Sequence, residues 1–395
     1  MPTQSKIHID ATLLRIFGIT MMVVMGVSTI MPILPLLSRT FNLEPSAIGA
    51  VLMVYTLPGI FLAPVSGVLA DRLGRKKVLV PALILFALTG AACAFTNTLP
   101  QLLFFRFLQG MCVAPLTILY TTIIGDQYQG PQRMQAMGLN AAVLSLGTAI
   151  YPALGGLLGE IHWRAPFLLP LLALPLAFAF LRFPMAEPQN SVPLRDYLQN
   201  AKAIIVSHRA ITLFCLTFGG FLLLYGPMVT YFPVLADELY SATPSQIGII
   251  FSMASAGSVL TAVALGMLAK HMPEKWLFIL GFAFYFLAMA TMPHIPSLWW
   301  ALLPIFSFGL AQGLTVPSVA TMLSGLAPME SRGAVMAVNG TIMRLAQTVG
   351  PALFGLIYLY GNTDTVFHVG ACIALITIPF TWVRLRSIPI APCKK

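Results

Sequence analysis

Charge is what this sequence has least of. Its 395 residues include 22 basic and 12 acidic side chains, 9% of the chain, against about 25% in a soluble globular domain. With a mean hydropathy of +0.87, too few ionic groups remain to face water, and a soluble fold is excluded. Cysteine is nearly as scarce. Of five, Cys93, Cys112, Cys215 and Cys372 lie inside apolar runs and Cys393 in the tail, with no CxxC or Cys/His spacing. That excludes a disulfide framework, and no metal or other cofactor is expected. No GxxxxGK[ST] occurs, so ATP is not the direct energy source, and no HExxH, GxSxG or paired aspartates support an enzyme. Alternating apolar stretches are missing as well, which excludes a membrane β-barrel.

What is present is 58% hydrophobic residues, gathered into continuous runs near 13–37, 47–70, 78–96, 100–125, 134–158, 165–183, 210–234, 246–269, 275–292, 298–323, 333–359 and 366–383. Each is about the 20 residues that a helix needs to cross a bilayer. The fold class is an all-α membrane protein of twelve transmembrane helices. The polar segment before the first run is too short and the run too long for a cleavable signal peptide. Arg39 and Arg164 alone among the basic residues fall in outer loops if the N-terminus is inside, and Arg106 and Arg344 fall within spans. The remaining basic residues then lie on the cytoplasmic side, which places both termini there, in the inner or plasma membrane. The same distribution accounts for the net charge of +10 through topology and contact with membrane lipid, with no nucleic-acid partner.

A shift of 199 residues aligns the two halves. Pro45-Ser46 and Ile48-Gly49 meet Pro244-Ser245 and Ile247-Gly248, and Arg133, Met137, Asn140 and Pro152 meet Arg332, Met336, Asn339 and Pro351. The Gln109-Gly110 and Gln312-Gly313 pairs differ by four more positions, which implies a small insertion in the second half. The domains expected are a six-helix bundle over 1–183, a cytoplasmic linker with an interfacial helix over 184–209, and a second six-helix bundle over 210–395. Two parallel repeats of this kind suit alternating access.

Between the second and third runs stands Gly67-Val68-Leu69-Ala70-Asp71-Arg72-Leu73-Gly74-Arg75-Lys76-Lys77. This segment resembles the loop signature GxxxDRxGRRK of the major facilitator superfamily. In physical terms Gly67 allows close approach of a neighbouring helix and Gly74 a tight turn. Asp71, at a helix C-terminus where the macrodipole disfavours an anion, needs cations, namely Arg75 and Arg332. Arg106-Phe107-Leu108-Gln109-Gly110 resembles the family's RxxxG motif. Gly138, Gly147, Pro152 and Gly155-Gly156 resemble its antiporter motif, with Tyr151 where that pattern has glycine. Met31-Pro32-Ile33-Leu34-Pro35 and Asp126 are similar to the twelve-helix drug:proton antiporters of the multidrug and tetracycline efflux group. Where tetracycline-type antiporters carry an acid in the first span, this chain has Val23, and all twelve acids map to loops or span ends. If protons couple, the candidates are Asp126 and Asp71 inside, or Glu160, Asp237 and Glu238 outside.

The resemblance implies that the first, fourth, seventh and tenth helices line the path. Candidate substrate residues are therefore Met25, Arg106, Gln109, Tyr225, Met228, Tyr231 and Gln312, with Gly226-Pro227 as a kink. Gating and conformational candidates are Gly67, Asp71, Arg72, Gly74, Arg75, Asp126, Gly147, Pro152, Gly155, Arg332 and Arg344. An arginine inside a span costs about 2.5–3.5 kcal/mol on insertion scales, so Arg106 and Arg344 either brace helices or meet substrate. Expected is a monomeric secondary transporter that exports small amphipathic molecules or drugs by proton exchange. The alternative is an organic-anion or other small-solute permease (importer, exchanger or uniporter) that has no buried-carboxylate proton site.

Overall fold

In a computed structural model the chain is described at residues 9–183, 202–327 and 332–385, and at Pro64, Val68 and Asp71 by its backbone alone. Most of the expected linker, 184–201, lies outside the described residues. Every apolar run has become a helix, as lipid demands of a backbone that must satisfy its own hydrogen bonds. We number the twelve α1 (Ala11–Phe41), α2 (Ala50–Leu73), α3 (Arg75–Cys93), α4 (Leu99–Gln127), α5 (Gly130–Ile161), α6 (Ala165–Leu181), α7 (His208–Tyr240), α8 (Pro244–His271), α9 (Glu274–His294), α10 (Leu298–Leu326), α11 (Arg332–Leu359) and α12 (Thr363–Arg384). Large apolar side chains such as Val263, 81% exposed, point outward, an arrangement suited to lipid and not to water.

Eleven of these are long and apolar enough to cross a membrane; α6 is shorter. Pro166 and Pro170 set its first 8 residues, Ala165–Leu172, in 3-10 geometry before 9 residues of α-helix. At about 2.0 and 1.5 Å per residue the two stretches together reach about 30 Å, the hydrocarbon thickness of a bilayer. Tighter winding lets the short helix span. Local signals fix other boundaries. Asp10 caps α1 by accepting from Leu13 N at 2.8 Å, Asn362 and Thr365 form a capping box on α12, and Gly74 makes the α2–α3 turn at φ +95°.

Two compact units divide the described residues. Unit 1 holds the residues up to 183 and Thr243–Ile249; unit 2 holds 202–242 and those from Ile250 on. In unit 1, Ile16, Leu79, Phe86, Leu116 and Phe180 are buried in one apolar core. In unit 2 the corresponding interior includes Leu213, Phe278, Phe308 and Phe354.

The internal repeat is visible in bonds. Thr20 Oγ1 of α1 donates to Asn140 Oδ1 of α5 at 2.7 Å, and in unit 2 Thr217 Oγ1 of α7 donates to Asn339 Oδ1 of α11 at 2.8 Å. Backbone crossings repeat too. A Cβ on Gly110 of α4 would lie 2.0 Å from Tyr55 O of α2, and one on Gly309 of α10 would lie 2.0 Å from Ala254 O of α8. Both partners are displaced by the same 199 residues, so Gly110 corresponds to Gly309, not to Gly313. The insertion implied by the Gln-Gly pairs is therefore absent; Gly313 sits one turn further along, against Ser258 O.

Candidate functional site

Arg106 is the least expected side chain in the interior of unit 1. It is 1% exposed two turns into α4, and the geometry shows how its charge is held. Gly26 of α1 has no side chain because Tyr55 of α2 occupies that space; a Cβ there would lie 1.7 Å from the phenol oxygen. The uncovered Gly26 carbonyl accepts from Arg106 Nη1 at 3.0 Å, and Gln109 Oε1, one turn along α4, accepts from the same nitrogen at 2.9 Å. The guanidinium carbon stands 4.4 Å from the Tyr55 ring centre and 5.8 Å from that of Phe167. A desolvated cation–π contact contributes about 2 kcal/mol, and each hydrogen bond to a charged group about 1.5–3 kcal/mol. Together these exceed the insertion cost of about 2.5–3.5 kcal/mol. The Nε and Nη2 groups of Arg106 are buried without a hydrogen-bond partner among the described residues. Three of the five guanidinium N–H donors thus point at no acceptor.

Unit 2 carries its polar interior elsewhere. The Gly226-Pro227 break in α7 appears as a π-helix, Leu224–Tyr231, in which Thr230 Oγ1 donates to Tyr225 O at 2.6 Å. Proline lacks an N–H, and the wider winding re-satisfies the freed carbonyl. Such π stretches occur frequently at functional sites. Gly350 of α11 lets α7 approach, since a Cβ there would lie 3.0 Å from Gly226 N. On α11 the buried Arg344 is near enough to Tyr225 to act on it electrostatically. Gln347, one turn along, keeps its Oε1 buried without a hydrogen-bond partner, as does Gln312 its Nε2 on α10.

The other substrate candidates are packed within their units. Met25 belongs to the unit 1 core, and Met228 and Tyr231 are fully buried, with Tyr231 stacked on Tyr358 at 5.4 Å. Tyr358 in turn donates to Glu238 at 2.8 Å. Among the described residues every Asp and Glu lies in a loop or in a terminal turn of a helix.

At the end of unit 1 that bears the Gly74 turn, Arg75 pairs with Asp126 and donates to Thr122 O at 3.3 Å. Asp126 is a partner that the sequence does not predict for Arg75; the expected contact with Asp71 rests on a side chain outside the described residues. The physical reason lies in the helix ends: Arg75 opens α3, where a cation is disfavoured, and Asp126 closes α4, where an anion is. Each neutralises the other's misfit. Arg133 lies alongside, its Nη2 3.1 Å from where a Cβ on Gly125 would be. Arg72 is exposed in the last turn of α2, and Arg332 is exposed at the start of α11. Gly67 differs from expectation, because a Cβ there would meet only Ile118 at 3.9 Å, an ordinary contact. Among the described residues nothing approaches Gly67 itself closely enough for alanine to block. The antiporter-like glycines of α5 do pack closely. Gly147 faces Met21 Sδ, Gly155 faces the Thr29 backbone with 2.2 Å from Cβ to O, and Pro152 O stands 2.1 Å from a Cβ on Gly248. Near the same end Tyr128 donates to Asp10 Oδ1 at 2.8 Å. Burial first, then the bond to Asp10 and its charge, push the Tyr128 phenol up.

Tyr55, Gly26 and Phe167 were missed from sequence because an aromatic or a glycine inside an apolar run carries no polar signal. The Thr20–Asn140 pair could have been found, since Asn140 and Asn339 recur at the repeat distance and each needs a buried partner.

Comparison with known proteins adds the following. The model of the Major Facilitator Superfamily matches residues 16–242 and 236–393. The tetracycline resistance protein, class B, of Escherichia coli is 27% identical over 351 residues, 86% of either chain. Multidrug resistance protein 1 of Bacillus subtilis is 24% identical, covering 85% of this chain and 86% of its own. Among solved structures, a D-xylose-proton symporter superposes with a TM-score of 0.77 at 15% identity, over 97% of this chain and 99% of that one.

Proposed function

Since the chain belongs to the major facilitator superfamily, we propose that it exports small amphipathic molecules by alternating access of its two repeats, in exchange for protons. Tetracycline and multidrug resistance relatives support the direction and cargo class. The fold by itself is neutral on direction, for it is shared with a sugar–proton symporter. One observation carries the substrate assignment: Arg106 presents three N–H donors with no acceptor in a site walled by Tyr55 and Phe167. A ligand with an acceptor group and an apolar body fits such a wall, and its oxygen would answer groups that are costly to leave unpaired in a dry interior. Within unit 2, Tyr225, Gln312 and Arg344 are the polar candidates for substrate contact. Asp71 and the Arg75–Asp126 pair are the cytoplasmic gating residues of unit 1, and Arg332 is that of unit 2; both termini are cytoplasmic, and the working form is a monomer in the inner or plasma membrane.

The lack of a mid-span carboxylate favours one second reading, an organic-anion or small-solute permease without a buried acid. Flux in proteoliposomes separates the two. With imposed pH and voltage gradients and matched anionic, neutral and cationic substrates, an exporter of the proposed kind responds to the pH gradient. A pH-independent flux selects the permease. Arg106→Gln should cut flux of acceptor-bearing substrates at least ten-fold, since one lost charge-assisted bond corresponds to about 1.5–3 kcal/mol. Unaltered anion flux in that variant, or preference for lipophilic cations in the parent protein, refutes the role of Arg106.

A further inference from the structure

Three helix ends of unit 2 meet at one membrane boundary: the starts of α7 and α9 and the finish of α12. Each pair is joined by a different contact. Arg209 of α7 donates to Glu274 of α9 at 2.8 Å, Arg384 of α12 donates to His208 of α7 at 3.0 Å, and Lys275 of α9 lies 4.6 Å from the Trp382 ring of α12. Among the described residues charge in this triangle is unbalanced, with the three permanent cations Arg209, Lys275 and Arg384 against the carboxylate of Glu274. The starts of α7 and α9 add the positive ends of two helix dipoles. Moreover, among the described residues Arg209 has its Nε buried without a hydrogen-bond partner, and Lys275 makes its contacts with the rings of Trp276 and Trp382. The aromatic components are of the kind that anchors at the headgroup level: Trp276, 40% exposed, packs edge-on against Trp382.

We infer that this triangle is a binding site for the phosphate headgroup of an anionic phospholipid. Basic pockets between transmembrane helices at the membrane surface take such headgroups, and each Lys or Arg near the surface strengthens binding about five-fold. The guanidinium groups of Arg209 and Arg384 supply planar donors for phosphate oxygens, Lys275 a point charge, and Trp276 with Trp382 a wall for the glycerol and upper acyl region. Bound there, the lipid ties the beginning of the second repeat to its last helix.

The test uses the full-length purified protein, with bound lipid counted by native mass spectrometry during titration with phosphatidylglycerol or phosphatidylcholine. Phosphatidylglycerol should bind preferentially. The Lys275→Gln/Arg384→Gln double variant should lose about 25-fold in phosphatidylglycerol affinity, at about five-fold per charge, with phosphatidylcholine unaffected. Glu274→Gln, which removes the triangle's carboxylate, should raise phosphatidylglycerol affinity about five-fold, an opposite sign that unfolding cannot mimic. Equal retention of the two lipids, a double variant that binds phosphatidylglycerol like the parent, or weaker binding by Glu274→Gln overturns the proposal. Displacement of the lipid by millimolar inorganic phosphate would assign the site to free phosphate and overturn it as well.

Discussion

Replacing Gly110 by alanine should damage the protein in a way that the internal repeat makes predictable. The added Cβ would lie 2.0 Å from Tyr55 O and 3.2 Å from Tyr55 Cα. Ordinary contact begins near 3.4 Å, so α2 and α4 must part by about 1.4 Å, backbone against backbone. Overpacking typically costs about 1–3 kcal/mol, and the upper end applies where no flexible side chain can yield. At about 2–4 °C per kcal/mol for a body of this size, the melting temperature of unit 1 should fall by about 6–12 °C. Gly309→Ala should do the same to unit 2, with its Cβ 2.0 Å from Ala254 O. The two effects can be read separately. Cys93 and Cys112 are buried in unit 1, so a thiol-reactive dye reports its opening on a Cys215→Ser/Cys372→Ser/Cys393→Ser background. Trp276, Trp299, Trp300 and Trp382 all belong to the second repeat and only Trp163 to the first, so tryptophan fluorescence reports chiefly on unit 2. Function should diverge where stability does not. Gly110→Ala also shifts Tyr55 off the Arg106 cation, whereas Gly309 has no arginine beside it, its neighbour at the repeat position being Ile305. Gly67→Ala and Gly266→Ala, which meet nothing closer than 3.9 Å, should be neutral. Melting of Gly110→Ala at the parent temperature, or a loss in Gly67→Ala as large as in Gly110→Ala, would refute the reasoning.

Three further outcomes are expected. Exchanging the ion pair, Arg75→Asp with Asp126→Arg, puts an anion at the start of α3 and a cation at the end of α4; both then agree with the helix dipoles, and the double variant should gain up to about 1 kcal/mol in thermal unfolding while each single variant loses stability and turnover. Thr20→Val and Thr217→Val should each cost about 0.6 kcal/mol, the average for interhelical bonds in a membrane, and the double variant should equal their sum by the unit-specific probes. Tyr128→Phe removes the donor to Asp10. Because the native phenol is raised, the stability it contributes is complete below the ordinary tyrosine value of about 10 and declines as pH rises further. The difference in melting between parent and variant should therefore be flat to that pH and narrow above it; a difference that widens with alkali contradicts the assignment.

The twelve helices were legible because each is a continuous apolar run, and the sixth was legible even though its winding was not. Orientation about each helix axis was much less so. A helix that is apolar on all sides offers no face to read, and Tyr55 could not be placed over Arg106 without coordinates. Residue similarity also misled once: Gln109-Gly110 and Gln312-Gly313 look alike, yet the carbonyl crossings pair Gly110 with Gly309. Backbone contact preserves register where side-chain identity drifts. Asp126, far along the chain from Arg75, is brought to it by the packing of α3 on α4, a contact that sequence proximity cannot show.

One symmetric contact has been cut in opposite senses. In unit 1 the small partner is Gly155 of α5, which receives the backbone of Thr29. The corresponding positions in unit 2, displaced like the Thr–Asn pairs, are Phe354 and Gly226, and there the bulk comes from α11 and the vacancy from α7, with 2.2 Å from a Cβ on Gly226 to the Phe354 ring. The two repeats are a lock and a key with their roles reversed. A graft of the α11 segment into the α5 position would therefore set Phe354 against Thr29, bulk on bulk, while the reciprocal graft would set glycine against glycine and leave a void the size of a phenyl ring. Duplicated halves with this history cannot be interchanged, and any ancestral chain with two identical halves must have held both contacts in a single sense before one of them was inverted.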